Sequence, residues 1–128
     1  MSGEIPTFAK YIFLLGFIVT LIYGAWYYLL PESWSAVTGW PEEPSSTRII
    51  GSLLLMLSFA AVLAYRAASW KEVELYVVMV IFWTLLATVG LVWSMLVMTL
   101  PIVGWLNASL TTLFFILYLY VYYQCRGS

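Results

Sequence analysis

Arg66 and Glu74 are the chain's best-placed opposite charges. Each stands about one helical turn from the short segment around Trp70, on helices that a tight connection would lay side by side. Such a pair could act as a gate or ligand site at the cytoplasmic edge of a membrane, or simply neutralise itself at headgroup level. Arg48 is a second point of interest. With Glu42 and Glu43 near in sequence, it could hold a lipid phosphate or a substrate anion, or snorkel to the interface and pair locally. A third grouping is aromatic. Trp34, Trp40, Trp105 and Asn107 could line an outward-facing pocket, with residues 33–37 lying over it as a lid. Asn107 also suits interhelical hydrogen bonding. The Asn107-Ala108-Ser109 sequon falls inside an apolar run, where glycosylation has no access.

Several chemistries are excluded outright. The chain has no histidine, so bis-histidine haem, histidine–zinc sites, histidine proton shuttles and a serine–histidine dyad cannot be built. The lone cysteine, Cys125, cannot form an intrachain disulfide; beside a membrane it is open to palmitoylation or stays a free thiol. A retinal Schiff base needs a lysine deep in a helix, whereas Lys10 and Lys71 lie at helix ends. An exporter driven by a carboxylate embedded in its first span is excluded, since residues 11–30 hold none. With a net charge of −1 there is no basic surface for nucleic acid. No metal, cofactor or catalytic residue is expected.

The elements that must position these residues are four apolar runs with no ionisable residue at their centres. A charge at mid-bilayer costs about 2.5–3.5 kcal/mol on insertion scales, so a bilayer selects this pattern. Charged residues make up 9% of the chain, apolar ones 64%, and the mean hydropathy is +0.98. The runs predict spans over about 8–30, 48–68, 71–99 and 102–124, within one transmembrane domain covering 1–128. Each meets the roughly 20 residues needed to cross the hydrocarbon core. The first is too long for a cleaved signal and is expected to remain as a span. Pro31, Pro44 and Pro101 punctuate the helices. Ser69-Trp70-Lys71-Glu72 fits a capping box, in which Ser69 caps and Glu72 returns to its backbone N–H. Short connections predict antiparallel neighbours. The expected fold is therefore an all-α, four-helix antiparallel membrane bundle with a short interfacial segment in its first outer loop.

Lys10, Arg66, Lys71 and Arg126 fall on one side of this arrangement and only Arg48 on the other. The positive-inside rule then places both termini in the cytoplasm of a multi-pass cell-membrane protein. Trp26, Tyr27, Tyr28, Trp34, Trp40 and Trp105 would form an outer aromatic belt. Tyr11, Tyr65, Trp70, Tyr120, Tyr122 and Tyr123 would form the inner one. Small residues four apart predict close helix packing: Gly16, Thr20 and Gly24; Ala60, Ala64 and Ala68, with Gly51 earlier in the same span; Thr84 and Thr88 beside Ala87 and Gly90; Gly104, Ala108 and Thr112. Met79, Met95 and Met98 are expected to pack.

The run Leu30-Pro31 through Thr38-Gly39-Trp40-Pro41, followed by Arg48-x-x-Gly51 at the head of an apolar span, resembles small four-span proteins of the DoxX-like kind. Pro101-x-x-Gly104-Trp105-Leu106 is compatible with it. The resemblance implies a four-helix bundle and, for some members, association with quinone-linked sulfur oxidation. No residue here matches a catalytic pattern. The leading expectation is a non-enzymatic accessory or scaffold component, with the lipid bilayer and a membrane protein or second copy as partners. The alternative is a binder or carrier of a small apolar molecule, a quinone or lipid, through the aromatic mouth. A channel or transporter is third. Whether the bundle interior is packed or hollow separates the first two.

Overall fold

The computed structural model describes residues 4–41 and 43–126. It is all-helical: α1 (Thr7–Leu29), α2 (Pro31–Thr38), α3 (Pro44–Arg66), α4 (Trp70–Val97) and α5 (Val103–Cys125). All but α2 are long and apolar enough to cross a membrane. At 1.5 Å per residue, the 23-residue helices reach about 35 Å and the 28-residue α4 about 42 Å. The core of a bilayer is roughly 30 Å thick, so α4 is longer than a perpendicular crossing needs.

The helix ends follow local chemistry. Leu30 breaks α1 with φ −137° and ψ 60°, and Pro31, at the first turn of α2, restarts the chain. Gly39 closes α2 in the left-handed conformation, φ 75°, and its N–H donates to the Ser35 carbonyl over 2.8 Å. Helix α3 begins earlier than its apolar run. The Glu43 side chain accepts from the Ser46 N–H (2.8 Å), the Ser45 N–H (3.3 Å) and the Ser45 hydroxyl, and Pro44 follows at the first helical position. The Ser45 hydroxyl, then the Ser46 N–H, holds the Glu43 carboxyl down at about 2. The capping box at α4 takes another form. Ser69 makes no side-chain cap, and the Glu72 carboxylate instead accepts from the Ala68 N–H and the Ser69 hydroxyl, both at 3.4 Å.

Helix α1 packs along α3 and α4 along α5, while other helix pairs touch at few points. The α1–α3 seam is built on glycine. A Cβ on Gly51 would stand 2.7 Å from the Tyr28 nitrogen and 3.0 Å from the Gly24 carbonyl oxygen. One on Gly24 would stand 2.9 Å from the Leu55 nitrogen. Lower in the seam, the Ser58 hydroxyl reaches the Phe17 carbonyl at 3.5 Å. The buried face of α3 runs through Gly51, Leu54, Ser58, Ala61 and Ala64, a helical stripe offset from the expected one. Ala60 is only half-buried, and Ala68 and Gly90 are exposed; nothing lies within 4 Å of a Cβ on Gly90. Met79 and Met98 also face outward, and Met95 alone of the three packs inward, against Gly104.

The closed core lies at one end only. Ile5, Ala9, Phe13, Ala64, Trp70, Val73, Val77, Tyr118, Val121 and Cys125 form it, beside the α3–α4 connection and the helix-bearing ends of the chain. Trp70 is 1% and Cys125 2% exposed. Trp70 is therefore a core residue rather than an interfacial anchor, and the Cys125 thiol is too buried to be acylated where it stands. Tyr11, Tyr65, Tyr120 and Tyr123 do face outward. Beyond Thr84, no residue of α4 is fully buried. The interior there is open.

Candidate functional site: a cavity beneath α2

A cavity of about 250 Å³ occupies this second half of the interior. Each long helix contributes a stripe at helical spacing: Gly16, Val19, Thr20, Tyr23 and Tyr27 from α1; Thr47, Ile50, Leu54 and Leu57 from α3. Helix α4 adds Tyr76, Val80, Trp83, Thr84, Ala87 and Leu91, and α5 adds Asn107, Leu110, Thr111, Phe114 and Tyr118. None of these is acidic or basic.

The floor is a Tyr76–Tyr118 hydrogen bond of 2.7 Å between α4 and α5. Phe13 packs on both rings at 5.8 and 5.9 Å between centroids. Gly16 leaves room for the Tyr118 hydroxyl, which would come within 2.8 Å of a Cβ there. The roof is α2. Trp34, only 4% exposed, inserts among Tyr23, Trp26 and Tyr27, with ring centroids 5.0–5.6 Å away. The Trp26 indole N–H donates to the Ser33 hydroxyl at 3.2 Å and pins α2 to α1. At the other end of α2, the Ser35 hydroxyl donates to the Trp40 carbonyl (2.7 Å). The Trp40 N–H in turn donates to the Thr38 hydroxyl (3.2 Å). This turn sets the Trp40 ring close over Gly104, at the start of α5.

Between floor and roof the walls are apolar, because their hydroxyls turn back on the helices. Thr20 donates to the Gly16 carbonyl (2.6 Å), Thr84 to that of Val80 (2.7 Å) and Thr111 to that of Ala108 (3.0 Å). Thr88 donates to Thr111 at 2.8 Å and ties α4 to α5. Under the roof, the Tyr23 hydroxyl donates to Asn107 Oδ1 at 3.0 Å and ties α1 to α5.

Of the residues expected to line an outer mouth, the structure brings together Trp34, Trp40 and Asn107. Asn107 is also the interhelical link the sequence suggested. Trp105 does not join them. It is 44% exposed and lies over a separate shallow groove with Ala108, Ser109 and Thr112. Position 105 precedes Asn107 by two residues, and about 200° of helical rotation turns it to the opposite face. Arg48 is exposed outside the cavity, and its guanidinium lies 4.0 Å from the Glu32 carboxylate of α2. Glu43 is engaged in capping, and Glu42 lies outside the described residues.

That Arg48–Glu32 contact is the one ion pair among the described residues; Arg66 and Glu74 are not joined. Arg66 ends α3 on an exposed face, and α3 and α4 meet at few points, so a short loop does not bring their side chains together. The residues missed by sequence reasoning are Tyr23, Tyr76, Trp83 and Tyr118. Their signal was the spacing of hydroxyl and aromatic residues along single helix faces, as in Tyr76, Trp83 and Thr84, or Asn107, Thr111 and Tyr118. No protein-family model, curated protein or solved structure matches the chain.

Proposed function

We propose that the protein is a non-enzymatic, multi-pass cell-membrane protein that holds a small, largely apolar molecule in the cavity beneath α2. The observation that carries this reading is the 250 Å³ space closed below by the tyrosine pair and above by Trp34 and Trp40. A 150 Å³ apolar cavity already accommodates benzene, so there is room for a larger ring or a short chain. An accessory or scaffold role needs a docking face, and gains nothing from a hollow interior. The quinone or lipid expected from the aromatic mouth is compatible with the lining.

Entry from the bilayer fits the packing. Ile50 belongs both to the lining and to the outer surface, at 47% exposure, and α3 and α4 hold each other at few points. A molecule dissolved in lipid would pass between them without crossing water. Extraction in lipid nanodiscs followed by native mass spectrometry should release a protein carrying a discrete adduct smaller than a phospholipid. Recovery of the bare chain, or of a stoichiometric protein partner in its place, would reverse the reading in favour of the accessory role.

The reading includes an antiparallel bundle with both termini inside, so that α2 and the cavity roof face outward. Lys10, Arg66, Lys71 and Arg126 against Arg48 support it. Ala36 and Ala68 are both exposed, at opposite ends of the helices. In a Cys125→Ala background, Ala36→Cys should react with an impermeant maleimide added outside intact cells, and Ala68→Cys only after lysis. The opposite pattern would invert the assignment.

A further inference from the structure

The hydrogen-bond accounting of the cavity goes further than its shape. At the roof, Tyr23 spends its hydrogen on Asn107 Oδ1, and this directs the amide nitrogen away from α1's Tyr23. Tyr27 and Asn107 both line this end of the cavity. The amide brings two hydrogens and the Tyr27 hydroxyl a third. Trp34 and Trp40 add indole N–H groups, which only donate and make no hydrogen bond among the described residues. The Gly16, Val80 and Ala108 carbonyls already accept from Thr20, Thr84 and Thr111 as well as from the backbone ladder. At the floor, two hydroxyls share one hydrogen bond, so one hydrogen of the Tyr76–Tyr118 pair is unspent. From Asn107 to Tyr118, α5 rises about 16 Å, and the space between is walled by Val19, Leu54, Leu57, Val80 and Leu110.

Resting on the cavity as a binding site, we propose that its occupant is an uncharged molecule with an apolar body and a hydrogen-bond-accepting end. A carbonyl or ether oxygen would be seated against Asn107 and Tyr27 beneath the tryptophans. A cation finds no carboxylate in the lining and an anion no basic side chain, so either would stand uncompensated in a low-dielectric site. A pure hydrocarbon would leave the donors unanswered.

Three naphthalenes of nearly equal shape test this: 1-acetylnaphthalene (ketone), 1-ethylnaphthalene (hydrocarbon) and 1-(1-naphthyl)ethylamine (a cation at pH 7). Equilibrium binding is measured by tryptophan fluorescence in one detergent. Subtracting the signal of Ala87→Trp, whose new ring occupies the cavity, removes partition into micelles. The ketone should bind about fivefold more tightly than the hydrocarbon, the equivalent of one neutral hydrogen bond. The amine should bind at least tenfold more weakly than the ketone. Tyr27→Phe and Asn107→Leu should each shrink the ketone's advantage while leaving the hydrocarbon's affinity in place. If Ala87→Trp does not fold, the ketone-to-hydrocarbon ratio in wild type against Tyr27→Phe gives the same reading, because partition cancels between the two proteins. Equal binding of ketone and hydrocarbon, or preference for the amine, would overturn the acceptor assignment and leave the binding site standing. Absence of specific binding by all three to folded protein would overturn the binding site itself.

Discussion

Gly51→Leu is expected to abolish the folded state in detergent, and Gly51→Ala and Gly24→Ala to lower stability by about 2–3 kcal/mol each, at the upper end of ordinary overpacking. The cause is that the obstructing atoms are backbone. A Cβ on Gly51 meets the Tyr28 nitrogen at 2.7 Å and the Gly24 carbonyl oxygen at 3.0 Å, and neither can swing aside as a side chain would. Helices α1 and α3 must move apart along their main line of contact. Packing is most of what holds helices together in lipid, where the hydrophobic effect between them is absent. Gly90→Ala is the control. It has the same chemistry in open space, and alanine is the better helix former by about 0.8–1 kcal/mol, so it should be neutral or stabilising. Midpoints of thermal unfolding, followed by circular dichroism in one detergent, would compare the four variants. Equal midpoints for Gly51→Ala and Gly90→Ala would show that the α1–α3 seam is not close-packed.

The helices themselves were legible because a span must be long, continuous and free of central charge, and prolines mark its ends. The largest boundary error is at α3, which begins at Pro44 rather than near Arg48. Pro44 is a helix-opening signal, but the expected span counts only the apolar run and misses Glu43 as the cap that starts the first turn at Pro44. A short helix is expected over 33–37 because that loop is too apolar to be solvated; it runs from Pro31 to Thr38, with proline at its head and Gly39 at its tail. Which way each helix faces was not. Lipid is as apolar as a protein core, so hydrophobic periodicity carries little information on orientation inside a membrane. Trp34 and Trp70 show the consequence. Both have the composition of belt residues, and both are almost fully buried.

Polar side chains do carry that information, because lipid rejects them. Asn107 was read correctly on this ground, and the same logic applied to Tyr23, Tyr76, Thr84 and Tyr118 would have placed the cavity walls. Arg66 and Glu74 failed for a different reason. Proximity in sequence across a tight loop says where two helices start to diverge, not how far apart their side chains end.

Ala87→Trp is expected to eliminate binding without unfolding the protein, the largest functional effect of a single substitution here. Ala87 is half-buried on α4, in the stripe that includes Thr84 and Leu91, and it borders the cavity rather than the closed core. An indole placed there has the empty space to enter. Overpacking strain is therefore avoided, and wall atoms that faced a void gain van der Waals partners. Stability should hold or rise slightly, while the adduct seen by native mass spectrometry disappears. Val77→Trp makes the contrasting case, since Val77 is fully buried in the closed core and has no such space. It should unfold the protein. A bound molecule that persists in folded Ala87→Trp would have to sit elsewhere, and the cavity would lose its claim to be the site.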